Sequence, residues 1–121
     1  LYLFEGKVQS MKKTTEEKLQ EIIQNIEEIE SLTRDMEYED FKNERKASYS
    51  VLFLLILIAE TVRRVPRSFK SEHPEIPWTA VADMESVLIK DKRDANLNIV
   101  WRTSRENIPK LKEQLQRILH R

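Results

Sequence analysis

Val51-Leu52-Phe53-Leu54-Leu55-Ile56-Leu57-Ile58-Ala59 is an unbroken apolar run in a chain where 35% of the residues are charged. A membrane span needs about 20 such residues, so this run reads as buried helix. A helix that is apolar on every side must be covered on every side, and 121 residues offer few elements to surround it. Two arrangements answer that demand: a second copy of the chain packed on the open side, or a central helix covered by its own neighbours. At roughly 25 cal/mol per Å2 of apolar surface, even a few of these side chains left in water would cost several kcal/mol. The economical answer is a helix-mediated homodimer, with Phe53, Leu54 and Leu57 as interface candidates.

Arg63-Arg64-Val65-Pro66-Arg67 closes that helix, with cations at its negative dipole end and a Pro that cannot continue it. The second helix is therefore predicted from about Glu39 to Val65. Before it, Asp35 to Phe41 is a connection, with Tyr38 and Phe41 expected against the end of a first helix. That first helix is predicted over 15–34: Thr14 and Glu17 have capping-box spacing, and Leu19, Ile22, Ile23, Ile26, Ile29 and Leu32 form an apolar stripe. Downstream, Ser68 to Ile76 reads as a linker with one helical turn. Pro77-Trp78 opens a third helix, where Val81, Met84, Val87 and Leu88 bury one face and Glu85, Ser86 and, past the stripe, Lys92 turn elsewhere. Asn96 or Asn98 can cap the next segment, in which Leu97, Val100 and Trp101 form a further apolar cluster. Asn107-Ile108-Pro109 opens a last helix carrying Leu111, Leu115, Ile118 and Leu119. No strand-like alternation competes. The expected class is all-α, a four- to five-helix antiparallel bundle.

Lys plus Arg and Asp plus Glu stand at 21 each, so bulk charge predicts no strong steering toward nucleic acid or membrane. The distribution is uneven. Thr14 to Glu44 holds 11 acids and 3 bases, whereas Arg45 to Arg121 holds 15 bases and 9 acids. The first helix is thus acidic and the remainder basic, and the basic part reads either as solvated helix faces or as a surface for phosphates. The N-terminal Leu1-Tyr2-Leu3-Phe4 is followed at once by Glu5 and Lys7, which is not a signal peptide pattern. Met11 is a candidate start, and residues 1–13 are expected to be an extension of a domain over 14–121. The chain has no Cys, which is compatible with a cytoplasmic location.

Several chemistries lack their residues. Only two His occur, His73 and His120, at no metal-ligand spacing; there is no thiolate, and Gly6 is the single Gly. No metal and no cofactor are expected. His73, before Pro74, reads as a surface loop residue, and Trp78 and Trp101 as core.

Ser71-Glu72-His73-Pro74-Glu75-Ile76-Pro77-Trp78, then Met84 and Leu88, Ile99-Val100-Trp101, Ile108-Pro109-Lys110-Leu111-Lys112 and Gln114 to Leu119 together resemble the HepT family of HEPN-domain proteins, the DUF86 group. Ile22-Ile23-Gln24-Asn25-Ile26-Glu27-Glu28-Ile29 and Ile58-Ala59-Glu60-Thr61 are similar to that family's first two helices. The resemblance spans about residues 16–119 and implies a HEPN-type helical homodimer, a metal-independent ribonuclease toxin paired with an MntA-like nucleotidyltransferase antitoxin. It also implies an active motif of Arg, four residues, His, one residue and Tyr at the end of the third helix. On this sequence those three positions hold Glu85, Lys90 and Lys92, with Ser86 after the first.

Each departure has a physical meaning. Glu85 sets negative charge where a phosphodiester would be held. A lysine ordinarily titrates near about 10.4, far above histidine, so Lys90 is a poor proton-transfer group near neutrality. Lys92 has no phenol to accept a nucleotidyl group. The expectation is a lapsed ribonuclease retained as a dimeric RNA-binding or nucleotidyltransferase-binding module, with Lys90, Lys92, Arg93, Arg63, Arg64 and Arg67 as candidate RNA contacts. The alternative is an active endoribonuclease with a lysine-based site.

Overall fold

The computed structural model describes residues 14–91 and 94–120, and the side chains of residues 90–94 lie outside that description, as does the N-terminal extension. Thr15–Thr33 form α1. The capping box is made as expected, with the Glu17 N–H donating to Thr14 Oγ1 at 3.1 Å and the Thr14 N–H to Glu17 Oε1 at 3.4 Å. Leu19, Ile22, Ile23, Ile26 and Ile29 are buried.

The second helix expected from the sequence is two helices. Tyr38–Asn43 form α2 and Arg45–Arg64 form α3, separated at Glu44 (φ −97°, ψ 86°). The join is hydrogen-bonded, since the Glu44 N–H donates to the Asp40 carbonyl and the Ser48 N–H to the Glu44 carbonyl. Tyr38 and Phe41 also have a partner far along the chain. Both rings meet Trp101, at 6.3 and 5.0 Å between centroids.

Along α3, Val51, Leu54, Leu55, Ile58, Ala59 and Val62 are buried, and Leu52, Ile56 and Leu57 are half-buried. Phe53 is 60% exposed and Tyr49 47%. At about 100° per residue, Tyr49, Phe53, Ile56 and Glu60 fall on one line. The rest of the chain thus covers most of the apolar run and leaves one face open. Of the interface candidates, Phe53 lies on that face, Leu57 at its margin, and Leu54 in this chain's own core.

Val65 takes an extended conformation (ψ 132°) before Pro66, and Arg67–Glu72 form α4, the helical turn expected in the linker. Trp78 Nε1 donates to the His73 carbonyl at 2.9 Å, closing the loop between them. The third helix is broken. Trp78–Ala82 form α5 and Met84–Leu88 form α6, with Asp83 (φ −99°, ψ 3°) between. Val81, Met84 and Leu88 are buried, but Val87, expected in the same stripe, is 55% exposed at its margin.

Beyond α6 the chain leaves the helical pattern expected of it. Ile89–Asp91 (β1) and Asp94–Ala95 (β2) form a small antiparallel pair, Ile89 opposite Ala95 and Asp91 opposite Asp94. Their local residue pattern carries no strand alternation, so the pair owes its existence to chain reversal between two packed helices. The Asn96 N–H reaches back to the Leu88 carbonyl at 2.7 Å.

Leu97–Arg102 form α7, capped by Asn96 Oδ1, which accepts from the Ile99 N–H at 3.4 Å. Asn107-Ile108-Pro109 opens the last helix as expected, but with no break in the chain before it. Thr103–Asn107 make a π turn and run directly into α8, Ile108–Leu119. Pro109 has no N–H for a regular helical bond and its ring crowds the preceding turn; widening that turn relieves both. Val100, Ser104, Ile108, Leu111 and Leu115 all face inward along this composite helix.

With α2–α3, α5–α6 and α7–α8 each counted as one interrupted rod, α1, α4 and these three give five helical rods, and the class is all-α as expected. Among the described residues no helix is long and apolar enough to cross a membrane. Lys112 and Glu30 pair across α8 and α1. Arg105 caps α1 from a distance, donating to the Thr33 carbonyl at 3.1 Å while its guanidinium lies 4.9 Å from the Trp101 ring centroid.

Arg105→Ala is expected to lower unfolding stability by about 1–2 kcal/mol in urea titration, combining a lost hydrogen bond and a lost cation–π contact. Leu55→Ala should cost about 2–5 kcal/mol. A smaller loss for Leu55→Ala than for Arg105→Ala would contradict the core assignment.

Candidate functional site

Glu85 sits in the first turn of α6, on a side of the helix apart from the buried Met84 and Leu88. Its carboxylate faces the end of α3, where Arg63 Nη2 lies 3.9 Å from Glu85 Oε2; the two side chains are 45% and 43% exposed, Arg63 first. The same Arg63 Nη2 donates to the Ala82 carbonyl at 2.6 Å. That carbonyl belongs to the last turn of α5, just before the break at Asp83. One guanidinium therefore satisfies a helix-end carbonyl and sits beside the acid just past the break. Ser86, next to Glu85, donates its hydroxyl to the Asp83 carbonyl at 2.9 Å.

The sequence-based site residues are only partly gathered here. Arg63 and Glu85 meet. Arg64 is exposed and donates to Thr61 Oγ1 at 3.4 Å, and Arg67 is exposed at the start of α4. These three arginines mark the corner where α3 turns into α4. The Lys90 backbone lies in β1, past the end of α6, so its position is on a hairpin strand and not on a helix. The Lys90 side chain, Lys92 and Arg93 lie outside the described residues.

Two cavities share Glu75 and Gln114 in their linings. A groove of about 480 Å3 runs between α5–α6 and α8; Val81, Met84, Val87 and Leu88 form one wall, Ile108 and Leu111 the other. A smaller cavity of about 310 Å3 is lined by Glu72, His73, Glu75, Gln114 and Arg117. His73 is therefore not a plain surface loop residue. Its side chain is 13% exposed, its ring is 4.6 Å from that of Phe69, and Nδ1 lies 3.5 Å from Glu75 Oε2. The signal in the sequence is Phe69, one turn earlier on α4, with Glu75 two residues later. The tie from Arg63 to Ala82 and Glu85 has no such signal, because it joins residues 19 and 22 apart through tertiary packing. No group of three or more His, Asp or Glu side chains among the described residues is placed to hold a metal ion.

The arrangement offers cations for phosphate at the α3–α4 corner, and no imidazole stands beside Glu85 and Arg63 among the described residues. Residues 22–118 match the family described as Ribonuclease HepT-like. This chain belongs to the HepT-like ribonuclease family. Within that family it is 35% identical to "Probable ribonuclease HepT" of Thermococcus cleftensis, over 89% of this chain and 98% of that protein. It is 31% identical to a "Putative RNase" of Methanocaldococcus jannaschii, over 84% of this chain and 87% of the relative. A "Putative RNase" of Caldanaerobacter subterraneus subsp. tengcongensis is 29% identical over 90% of this chain and 97% of its own length. No solved structure matches the chain. The HepT-like assignment agrees with the helical architecture.

Arg63→Lys keeps the charge but loses the planar fork. It is expected to speed amide hydrogen exchange in residues 78–88 several-fold while leaving α1 unchanged. Equal exchange in wild type and variant would show that Arg63 does not hold α5.

Proposed function

We propose that this HepT-like protein binds RNA as a homodimer without cleaving it, with an MntA-like nucleotidyltransferase antitoxin as the partner that the family resemblance implies. The observation that carries this reading is the pairing of Glu85 with Arg63. At the position where the family resemblance implies a phosphate-holding arginine, this chain has an acid already engaged with a neighbouring cation. Proton transfer is unsupported as well. The resemblance implies His at the position of Lys90, and His73 is turned toward Phe69 and Glu75.

Phosphate attraction survives these changes. Arg63, Arg64 and Arg67 are exposed at one corner, and Lys90, Lys92 and Arg93 come after α6 in sequence; together they supply the sequence-independent charge that governs affinity for a nucleic acid backbone. The dimer reading is supported by the open face of α3, where Phe53 and Tyr49 stay exposed beside half-buried Ile56. Isolated exposed apolar residues are ordinary on protein surfaces, but this set is aligned along one helix.

Two experiments test the proposal. Fluorescence anisotropy with labelled single-stranded RNA should show binding that weakens as salt rises, and the RNA should stay intact in the presence of a chelator. Cleavage abolished by Lys90→Ala would replace this reading with an active lysine-based endoribonuclease. In light scattering at micromolar concentration the protein should have a dimeric mass, and Phe53→Glu should halve it without unfolding the monomer. A monomeric wild type would sink the dimer.

A further inference from the structure

Arg63 is held in one orientation by its neighbours. Its Nη2 is tied to the Ala82 carbonyl at 2.6 Å, a short bond whose donor is charged. The contact to Glu85 Oε2 is much longer, at 3.9 Å. That carboxylate thus lies in the space beside the guanidinium where an anion is favoured, but outside hydrogen-bond distance. Both side chains remain close to half-exposed, and an ion pair so placed in water is weak. We propose that Glu85 is a resident competitor for phosphate at Arg63: its carboxylate fills the anion seat of a preoriented guanidinium, and a backbone phosphodiester of RNA binds there by displacing it.

The exchange is chemically even. A carboxylate and a phosphodiester each carry one negative charge and oxygens suited to a guanidinium fork. The carboxylate, on a surface turn of α6, returns to water when displaced. Arg64 and Arg67 lie exposed at the same corner and favour an incoming polyanion over a single carboxylate. The Ala82 carbonyl need not release Arg63, because a guanidinium has five donors. The seat is thus a tunable contact within the proposed RNA surface, and the inference rests on that RNA-binding reading.

A double-mutant cycle decides it. Affinity for labelled single-stranded RNA is measured at low salt for wild type, Glu85→Gln, Arg63→Gln and the double variant, each checked for folding by circular dichroism. Glu85→Gln is expected to tighten binding about 3- to 10-fold at low salt, the scale of one exposed ion pair that the phosphate no longer has to displace. In the Arg63→Gln background the gain should fall below about 2-fold. An equal gain in both backgrounds would mean that Glu85 acts only as diffuse negative charge, and would overturn the proposal. So would no gain at all in RNA that does bind.

If Arg63→Gln loosens α5, the phosphate titration that follows decides the inference, because it leaves Arg63 in place. A second measurement separates this inference from the RNA-binding reading. Inorganic phosphate is titrated into wild type and Glu85→Gln while the Arg63 Nε–H resonance is monitored. A larger shift at lower phosphate in Glu85→Gln, with no RNA binding by any form, keeps the competitor and removes RNA as its ligand. No difference between the two proteins, with no RNA binding, removes both.

Discussion

The fold depends on covering one face of α3. Val51, Leu55, Ile58, Ala59 and Val62 are inaccessible to solvent, and α1, α2, α5, α6 and α7 each lie against this helix. Apolar burial is roughly proportional to area and has no direction of its own. It fixes that these elements meet α3, and leaves their relative positions to polar ties. Glu30 with Lys112 sets α8 against α1. Arg105 with the Thr33 carbonyl sets the π turn against the end of α1, and Trp78 with the His73 carbonyl sets the loop before α5.

Arg63 belongs to this set of ties and also to the candidate site. A residue that caps the broken third helix cannot be altered for its charge alone, because the Ala82 carbonyl would lose its donor. Glu85 has no comparable structural duty among the described contacts beyond its pairing with Arg63. The two members of the pair are therefore unequal: one is held by the fold and the other is free to change. Any tuning of charge at this corner falls on Glu85.

Legibility in the sequence tracks the range of each interaction. The start of α1 is readable because Thr14 and Glu17 are within one turn of each other. The apolar run is readable as buried helix, but a run without polar residues carries no phase, so the outward turn of Phe53 and inward turn of Leu54 have to come from the flanking Tyr49 and Glu60. The breaks at Glu44 and Asp83 and the β1–β2 pair are not readable, since none has a Gly or Pro to announce it. The resemblance locates Glu85, Lys90 and Lys92 as positions. The engagement of Glu85 by a helix 22 residues earlier is a tertiary fact that local pattern does not encode.

The π turn at Thr103–Asn107 divides a long helix into two independently phased parts. In a regular helix, adding or removing one residue rotates everything beyond it by about 100°, which would carry Leu111 and Leu115 out of the core. A widened turn already holds the extra residue, so a one-residue change in length there is absorbed in the shape of the turn. Chain length is thus negotiable at this seam, between the aromatic cluster around Trp101 and the groove wall formed by α8, and nowhere else along α7 and α8.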